Sequence, residues 1–163
     1  MGGAVRGGNV TRAAEFNLWS DPEAAHRVLV TERVPTVLVP LDLTMRCVID
    51  TPWLDRLAAS GRIGRTLVGL AGAYRDHYRL GADGRGMVLH DALALAEVIR
   101  PGILRTTAHV VDVACAFGPT RGSVAAAEPA EVPSAAGHDR VVDIALDADL
   151  DELRAFLLGR LSG

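Results

Sequence analysis

Two short stretches of the chain carry the side chains best suited to chemistry. In Gly8-Asn9-Val10-Thr11-Arg12-Ala13-Ala14-Glu15-Phe16-Asn17, three groups able to engage a polyhydroxylated ligand, Asn9, Glu15 and Asn17, sit close together in a chain rich in Ala, Leu and Val. Asn and Glu suit hydroxyl groups because each hydroxyl both donates and accepts. The rival reading is ordinary turn chemistry, since Asn after Gly is a common turn pair. The second stretch is Met87-Val88-Leu89-His90-Asp91-Ala92, an apolar approach to a charged pair at a helix start. An aspartate there keeps its charge easily and can serve a cation or a sugar hydroxyl, or it can simply cap the helix. Tyr74 and Tyr78 stand one helical turn apart, so their rings leave the helix on one side, where they could pack in a core.

The elements that must hold these residues follow from patterning. Gly2 to Val5 reads as a strand feeding the Asn9 loop, and Ser20 and Glu23 form an S-x-x-E capping box that opens a helix running to about Arg33. Pro35 to Pro40 is a β-branched run typical of a buried parallel strand, which completes a βαβ unit. In such folds ligands sit outside the carboxyl ends of parallel strands, where the Asn9 loop would lie. Leu41-Asp42-Leu43-Thr44 follows the strand, and Asp42 reads equally as a loop carboxylate. Thr51-Pro52 caps a helix reaching Ala59, Ser60-Gly61 breaks it, and Ile63 to about Leu80 forms an amphipathic helix with Leu67, Leu70, Ala71, Tyr74 and Tyr78 on one face. Gly81 to Gly86 reads as a flexible loop, and the helix opened by His90-Asp91 lasts to Arg100-Pro101. Ala108 to Ala114 and Arg121 to Val124 pair across the Gly118-Pro119 turn, residues 126 to 139 form a loose loop, and Arg140 to Leu146 and Asp149 to Leu161 close the chain as strand and helix.

Bulk properties exclude several classes. With 163 residues and 49% apolar content, one domain or part of one is expected. The net charge is −3 without a basic cluster, so nucleic acid is not an expected partner. No apolar run is long enough to cross a bilayer and no signal-peptide pattern opens the chain, which makes the cytosol the default location and a membrane no partner. All 17 basic residues are Arg, which reads as coding bias. Cys47 and Cys115 share no ligand spacing and read as small core residues. Asp147, Asp149 and Asp151 do not make an EF-hand, because the loop glycine is missing and the twelfth position is Leu158; they read as favourable charges at a helix start.

Taken in order, Met1-Gly2-Gly3, Gly8-Asn9-Val10-Thr11, Ala14-Glu15-Phe16-Asn17, Asp21-Pro22-Glu23-Ala24-Ala25, Pro40-Leu41-Asp42-Leu43-Thr44 and His90-Asp91-Ala92-Leu93-Ala94 resemble the second half of the inosine/uridine-preferring nucleoside hydrolases. The resemblance covers nearly the whole chain. It implies an α/β fold, part of a mainly parallel, Rossmann-like open sheet with flanking helices and a small antiparallel strand pair near the C-terminus. Residues 1–163 would be the C-terminal part of a single domain truncated at its N-terminus, with Met1 an internal methionine. The implied reaction is hydrolysis of the N-glycosidic bond of ribonucleosides, as in nucleoside salvage. Asn9, Glu15 and Asn17 would bind ribose hydroxyls, Phe16 would pack near the sugar, and Tyr74 and Tyr78 would lie over the base. His90 would assist departure of the base, and Asp91 would bind Ca²⁺.

The aspartate-rich motif that opens complete members, and supplies their general base and further calcium ligands, is absent from this sequence. The chain alone is therefore expected to be inactive. Its alternatives are a non-catalytic ribose-binding remnant or one subunit of a split enzyme. The expected partners are a small nucleoside and either the missing N-terminal half or a second copy, recruited because the Gly2 to Val5 edge would be left uncovered.

Overall fold

The computed structural model describes residues 1–78, 80–81, 84–132 and 140–162. These form two compact units, Met1–Leu43 with Leu104–Asp147, and Thr44–Ile103 with Ala148–Gly163.

The first unit is built on a four-stranded sheet of order β1-β6-β4-β5, from β1 (Val37–Leu38), β4 (Leu104–Val113), β5 (Val124–Ala127) and β6 (Val141–Ala148). β1 and β6 are parallel in the register Val37↔Asp143, and β4 and β5 are antiparallel with Val113 opposite Val124. The chain is thus mixed α/β, and the expected strand pair near the C-terminus is present, with its second strand starting at Val124 instead of Arg121. Leu18, Leu29, Leu38, Val111, Val113, Val124, Val142 and Ile144 form the core between sheet and helices.

Three local expectations fail in this unit. Gly2 to Val5 is not a strand: Gly3 has φ +72°, outside the extended region, so pairing stops after two bonds, Gly2 N–H to the Val39 carbonyl (3.1 Å) and Leu41 N–H to the Gly3 carbonyl (2.9 Å). It is no exposed edge either, because Gly2, Gly3 and Ala4 are buried. The helix expected from Ser20 to Arg33 is instead α1 (Phe16–Ser20), α2 (Pro22–His26) and a π-helical turn (Arg27–Thr31). Its cap is Asp21, whose carboxylate accepts from Ala24 N–H, while Ser20 Oγ donates back to the Phe16 carbonyl and Glu23 pairs with Arg121 at 2.7 Å.

The second unit is mainly helical. α3 (Leu41–Thr44) leads into it, followed by β2 (Val48–Ile49), α4 (Thr51–Ala59), α5 (Arg62–Leu70), α6 (Gly72–Tyr78), β3 (Met87–Val88), α7 (His90–Ile99) and α8 (Leu150–Leu161). β2 and β3 form a short antiparallel pair. Trp53, Leu54, Leu57, Leu93, Leu153 and Leu157 are buried, and Trp53 Nε1 donates to the Arg154 carbonyl at 2.9 Å, tying α4 to α8. The α4 cap is Asp50, one residue earlier than Thr51, because its carboxylate reaches Trp53 N–H. Asp149 caps α8 as expected.

The helix expected from Ile63 to Leu80 breaks at Ala71 into α5 and α6, and its apolar face is not buried: Ile63 is 62% and Leu70 76% exposed. Arg79 of that helix, residues 82 and 83 of the Gly81 to Gly86 loop and residues 133–139 of the loop expected over 126–139 lie outside the described residues; the described start of that loop is instead the end of β5, which runs to Ala127, and a 3₁₀ turn (Pro129–Glu131). Cys47 and Cys115 are free thiols. Among the described residues no helix is long and apolar enough to cross a membrane.

Candidate active site

In the first unit the loop before α1 is closed on itself. Gly8 N–H bonds to the Arg12 carbonyl and Val10 N–H to the Ala14 carbonyl, both at 3.2 Å, while Thr11 Oγ1 accepts from the amides of Ala13 and Ala14. A Cβ on Gly8 would stand 1.9 Å from the Ala14 carbonyl oxygen, so this turn admits only glycine.

The closure brings Asn9, Glu15, Phe16 and Asn17 together. Asn9 Oδ1 accepts from Phe16 N–H at 3.0 Å, and Glu15, only 2% exposed, is the N-cap of α1. Glu15 Oε1 accepts from Asn17 N–H (2.9 Å), and Oε2 accepts from Gly3 N–H (2.8 Å) and Leu18 N–H (3.4 Å). Asn17 is exposed and donates from Nδ2 to the Met1 carbonyl at 3.4 Å, and Phe16 is 55% exposed. Asn17 and Phe16 therefore present free surface, whereas Glu15 is already occupied by backbone donors.

A second carboxylate fixes the same N-terminal segment. Asp42, in the first turn of α3, accepts from Val5 N–H (2.7 Å) and Arg6 N–H (3.0 Å). Asp42 thus bonds the backbone of the N-terminal segment, from a short helix and not from the loop expected after the strand.

In the second unit the imidazole of His90 lies between two hydroxyls. Its Nδ1 is 2.7 Å from Thr44 Oγ1, and its Nε2 is 2.7 Å from Tyr78 Oη. Tyr74 packs on Tyr78 with ring centroids 4.9 Å apart, and Tyr78 on His90 at 5.7 Å. Tyr74, Tyr78, His90 and Thr44 thus form one continuous line of rings and hydroxyls. Burial, with the hydrogen bond to Tyr78, pushes the Tyr74 phenol well above its ordinary range, so it stays protonated at neutral pH.

Sequence reasoning missed Thr44. It is fully buried and lies 46 positions from His90, and a lone Thr after a strand carries no local signal of such a contact.

Asp91 follows His90 in the first turn of α7 and is exposed; the cap position is Leu89, so Asp91 is not the N-cap. Among the described residues no three His, Cys, Asp or Glu side chains converge on a point that could hold a metal. Calcium takes about six to eight oxygens. The donor set of the described residues therefore does not fit a calcium site by itself, and Asp91 offers it one carboxylate.

Residues 1–155 match the family model described as inosine-uridine preferring nucleoside hydrolase. The chain belongs to this family. A non-specific ribonucleoside hydrolase from Salmonella agona is 31% identical over 157 residues, which are 96% of this chain and 48% of that protein. A purine-preferring ribonucleoside hydrolase from Gardnerella vaginalis, of solved structure, superposes with a TM-score of 0.83 at 26% identity, covering 100% of this chain and 51% of that one. A plant nucleoside hydrolase superposes with a TM-score of 0.89 at 24% identity, over 99% and 52% of the two chains, which is a likeness of fold. The chain spans about half the length of the relatives it matches.

Proposed function

We propose that this chain contributes the leaving-group side of an active site that hydrolyses the N-glycosidic bond of ribonucleosides to free base and ribose. The observation that carries the reading is the hydrogen-bonded line Thr44, His90, Tyr78. Both hydroxyl oxygens can accept, so an imidazolium at His90 would donate from Nδ1 to Thr44 and from Nε2 to Tyr78. Thr44 then sets the ring orientation.

As the bond from C1′ to the base breaks, electrons pass to the base, and a purine leaves poorly unless it gains a proton. Tyr78 can give its phenolic proton to the base and take the Nε2 proton of His90 in exchange. General-acid help of this kind is worth roughly a hundredfold or more. The sugar left behind is oxocarbenium-like and is captured by water, as in other glycosidases. Asn9 and Asn17, with Phe16 beside them, are the proposed contacts to the ribose, and Tyr74 and Tyr78 offer ring faces to the base. Glu15 enters that reading as the group that fixes the loop carrying Asn9, Phe16 and Asn17.

Capturing the cation needs a general base, which in the family comes from the aspartate-rich motif that this sequence lacks. The family implies calcium, and Asp91 is proposed as one ligand of a site that other ligands would complete. The chain by itself is accordingly proposed to be inactive. The experiment is to mix it with a polypeptide carrying the amino-terminal half of a family member and to assay base release from inosine. Turnover that requires both polypeptides and disappears with Asp91→Ala supports the reading, whereas turnover by this chain alone, or turnover untouched by Asp91→Ala, overturns it.

A further inference from the structure

Helix α7 is apolar on two opposite sides. Ala92 to Ala96, Val98 and Ile99 make up most of its length, so few positions remain for charge. At about 100° per residue, the buried pair Leu93 and Ala96 points one way, and Asp91, Leu95 and Val98 fall within about 60° of one another on the other side, with Ile99 at their border. Exposure agrees with that division: Leu95 is 58%, Val98 76% and Ile99 45% exposed. A surface helix ordinarily turns charge to the solvent, and a helix apolar all round is ordinarily buried. The outward stripe of α7 is therefore suited to being covered by protein.

Length and position indicate what covers it. The relatives that this chain matches carry about as much polypeptide again. Asp91 opens the stripe, with Leu95 about 6 Å and Val98 about 10 Å farther along the axis. A polypeptide that brings further groups to Asp91 comes to lie beside Leu95 and Val98. The Gly2 to Val5 segment offers no comparable seat, since Gly2, Gly3 and Ala4 are buried. A second copy of this chain would bring the same stripe and the same single carboxylate, and so would not complete the site at Asp91.

We propose that the α7 stripe of Leu95, Val98 and Ile99 is the docking surface for the amino-terminal half of the family's domain, with Asp91 at its rim. The inference rests on the reading of Asp91 as one ligand among several, and it states where the complementing polypeptide sits.

The test is co-expression of the full chain with a tagged amino-terminal half of the Salmonella agona relative, followed by purification and measurement of Kd by sedimentation. Val98→Glu and Leu95→Glu each set a charge in the apolar contact, and both positions are exposed, so the folded chain tolerates them, as an unchanged melting curve checks. The parent should form a one-to-one complex, weakened about tenfold or more by either variant and unchanged by Ile63→Glu on the equally exposed face of α5. No complex with the parent, equal affinity in Val98→Glu and Leu95→Glu, equal loss in Ile63→Glu, or self-association through Val98 in place of the complex would overturn the proposal. A complex that depends on Val98 yet releases no base from inosine would sustain the docking surface and refute the nucleoside reading, and turnover by a complex indifferent to Val98 would do the reverse.

Discussion

Replacing Glu15 by alanine separates its structural role from a ligand role. Its carboxylate, 2% exposed, accepts from three backbone amides, Gly3 at 2.8 Å, Asn17 at 2.9 Å and Leu18 at 3.4 Å. Loss of an N-cap costs about 1 kcal/mol. Each buried donor left unsatisfied adds about 1 to 3 kcal/mol, although the long Leu18 contact weighs least and water can reach the partly exposed Asn17 amide. Glu15→Ala should therefore destabilise by about 3 to 5 kcal/mol, a fall in Tm of roughly 6 to 20 °C for a chain of this size. Glu15→Gln keeps one carbonyl acceptor, and its NH₂ then confronts the Asn17 amide, for about 1 to 2 kcal/mol. The assay is urea unfolding followed by circular dichroism, with amide exchange at Gly3 as the local probe. An alanine variant within about 1 kcal/mol of the parent would refute the reasoning and leave Glu15 a group held in place for a ligand alone.

Three further outcomes are expected. Asp42→Ala should release the N-terminal segment, seen as faster hydrogen exchange at the Val5 and Arg6 amides with α8 unaffected; unchanged exchange at both amides would contradict this. The Glu23 carboxyl is held below its ordinary value by its bond to Arg121. Its stabilising contribution is thus present above the unfolded pKa and lost as pH falls through the depressed folded value, and Glu23→Gln should flatten that acid limb in a series of unfolding curves. Calcium should bind the chain alone weakly, with Kd above about 1 mM by calorimetry, because Asp91 joins no cluster of metal-binding side chains among the described residues.

How far the sequence could be read depended on whether the signal was local. The Asp149 cap, the antiparallel pair near the C-terminus and the break at Ser60-Gly61 are written in neighbouring residues, and all are present. Glu15 as a cap was not legible, because Glu is outside the usual Ser, Thr, Asp and Asn set and the nearby S-x-x-E pattern pointed one residue away from the true cap, Asp21. The Gly2 to Val5 strand failed on one dihedral angle at Gly3, which a glycine leaves open. Periodicity put Leu67, Leu70, Ala71, Tyr74 and Tyr78 on one face of a single helix, yet it says nothing of where that helix breaks or what covers the face: the helix is interrupted at Ala71, and Leu67, Leu70 and Tyr74 are exposed. The pairing of His90 with Tyr78 and Thr44 joins residues 12 and 46 positions apart, a product of tertiary folding that no spacing rule encodes.

The central claim, that Tyr78 and His90 act as one proton relay to the leaving base, is tested most directly by a double-mutant cycle in the two-polypeptide assay, with inosine and nitrophenyl riboside as substrates. On inosine, His90→Ala should cost on the order of a hundredfold, and adding Tyr78→Phe to it should cost little more, because the relay is already broken. Nitrophenolate leaves without a proton, so on nitrophenyl riboside both single variants should stay within about threefold of the parent. Equal losses on the two substrates, or losses that multiply in the double variant, would contradict the account.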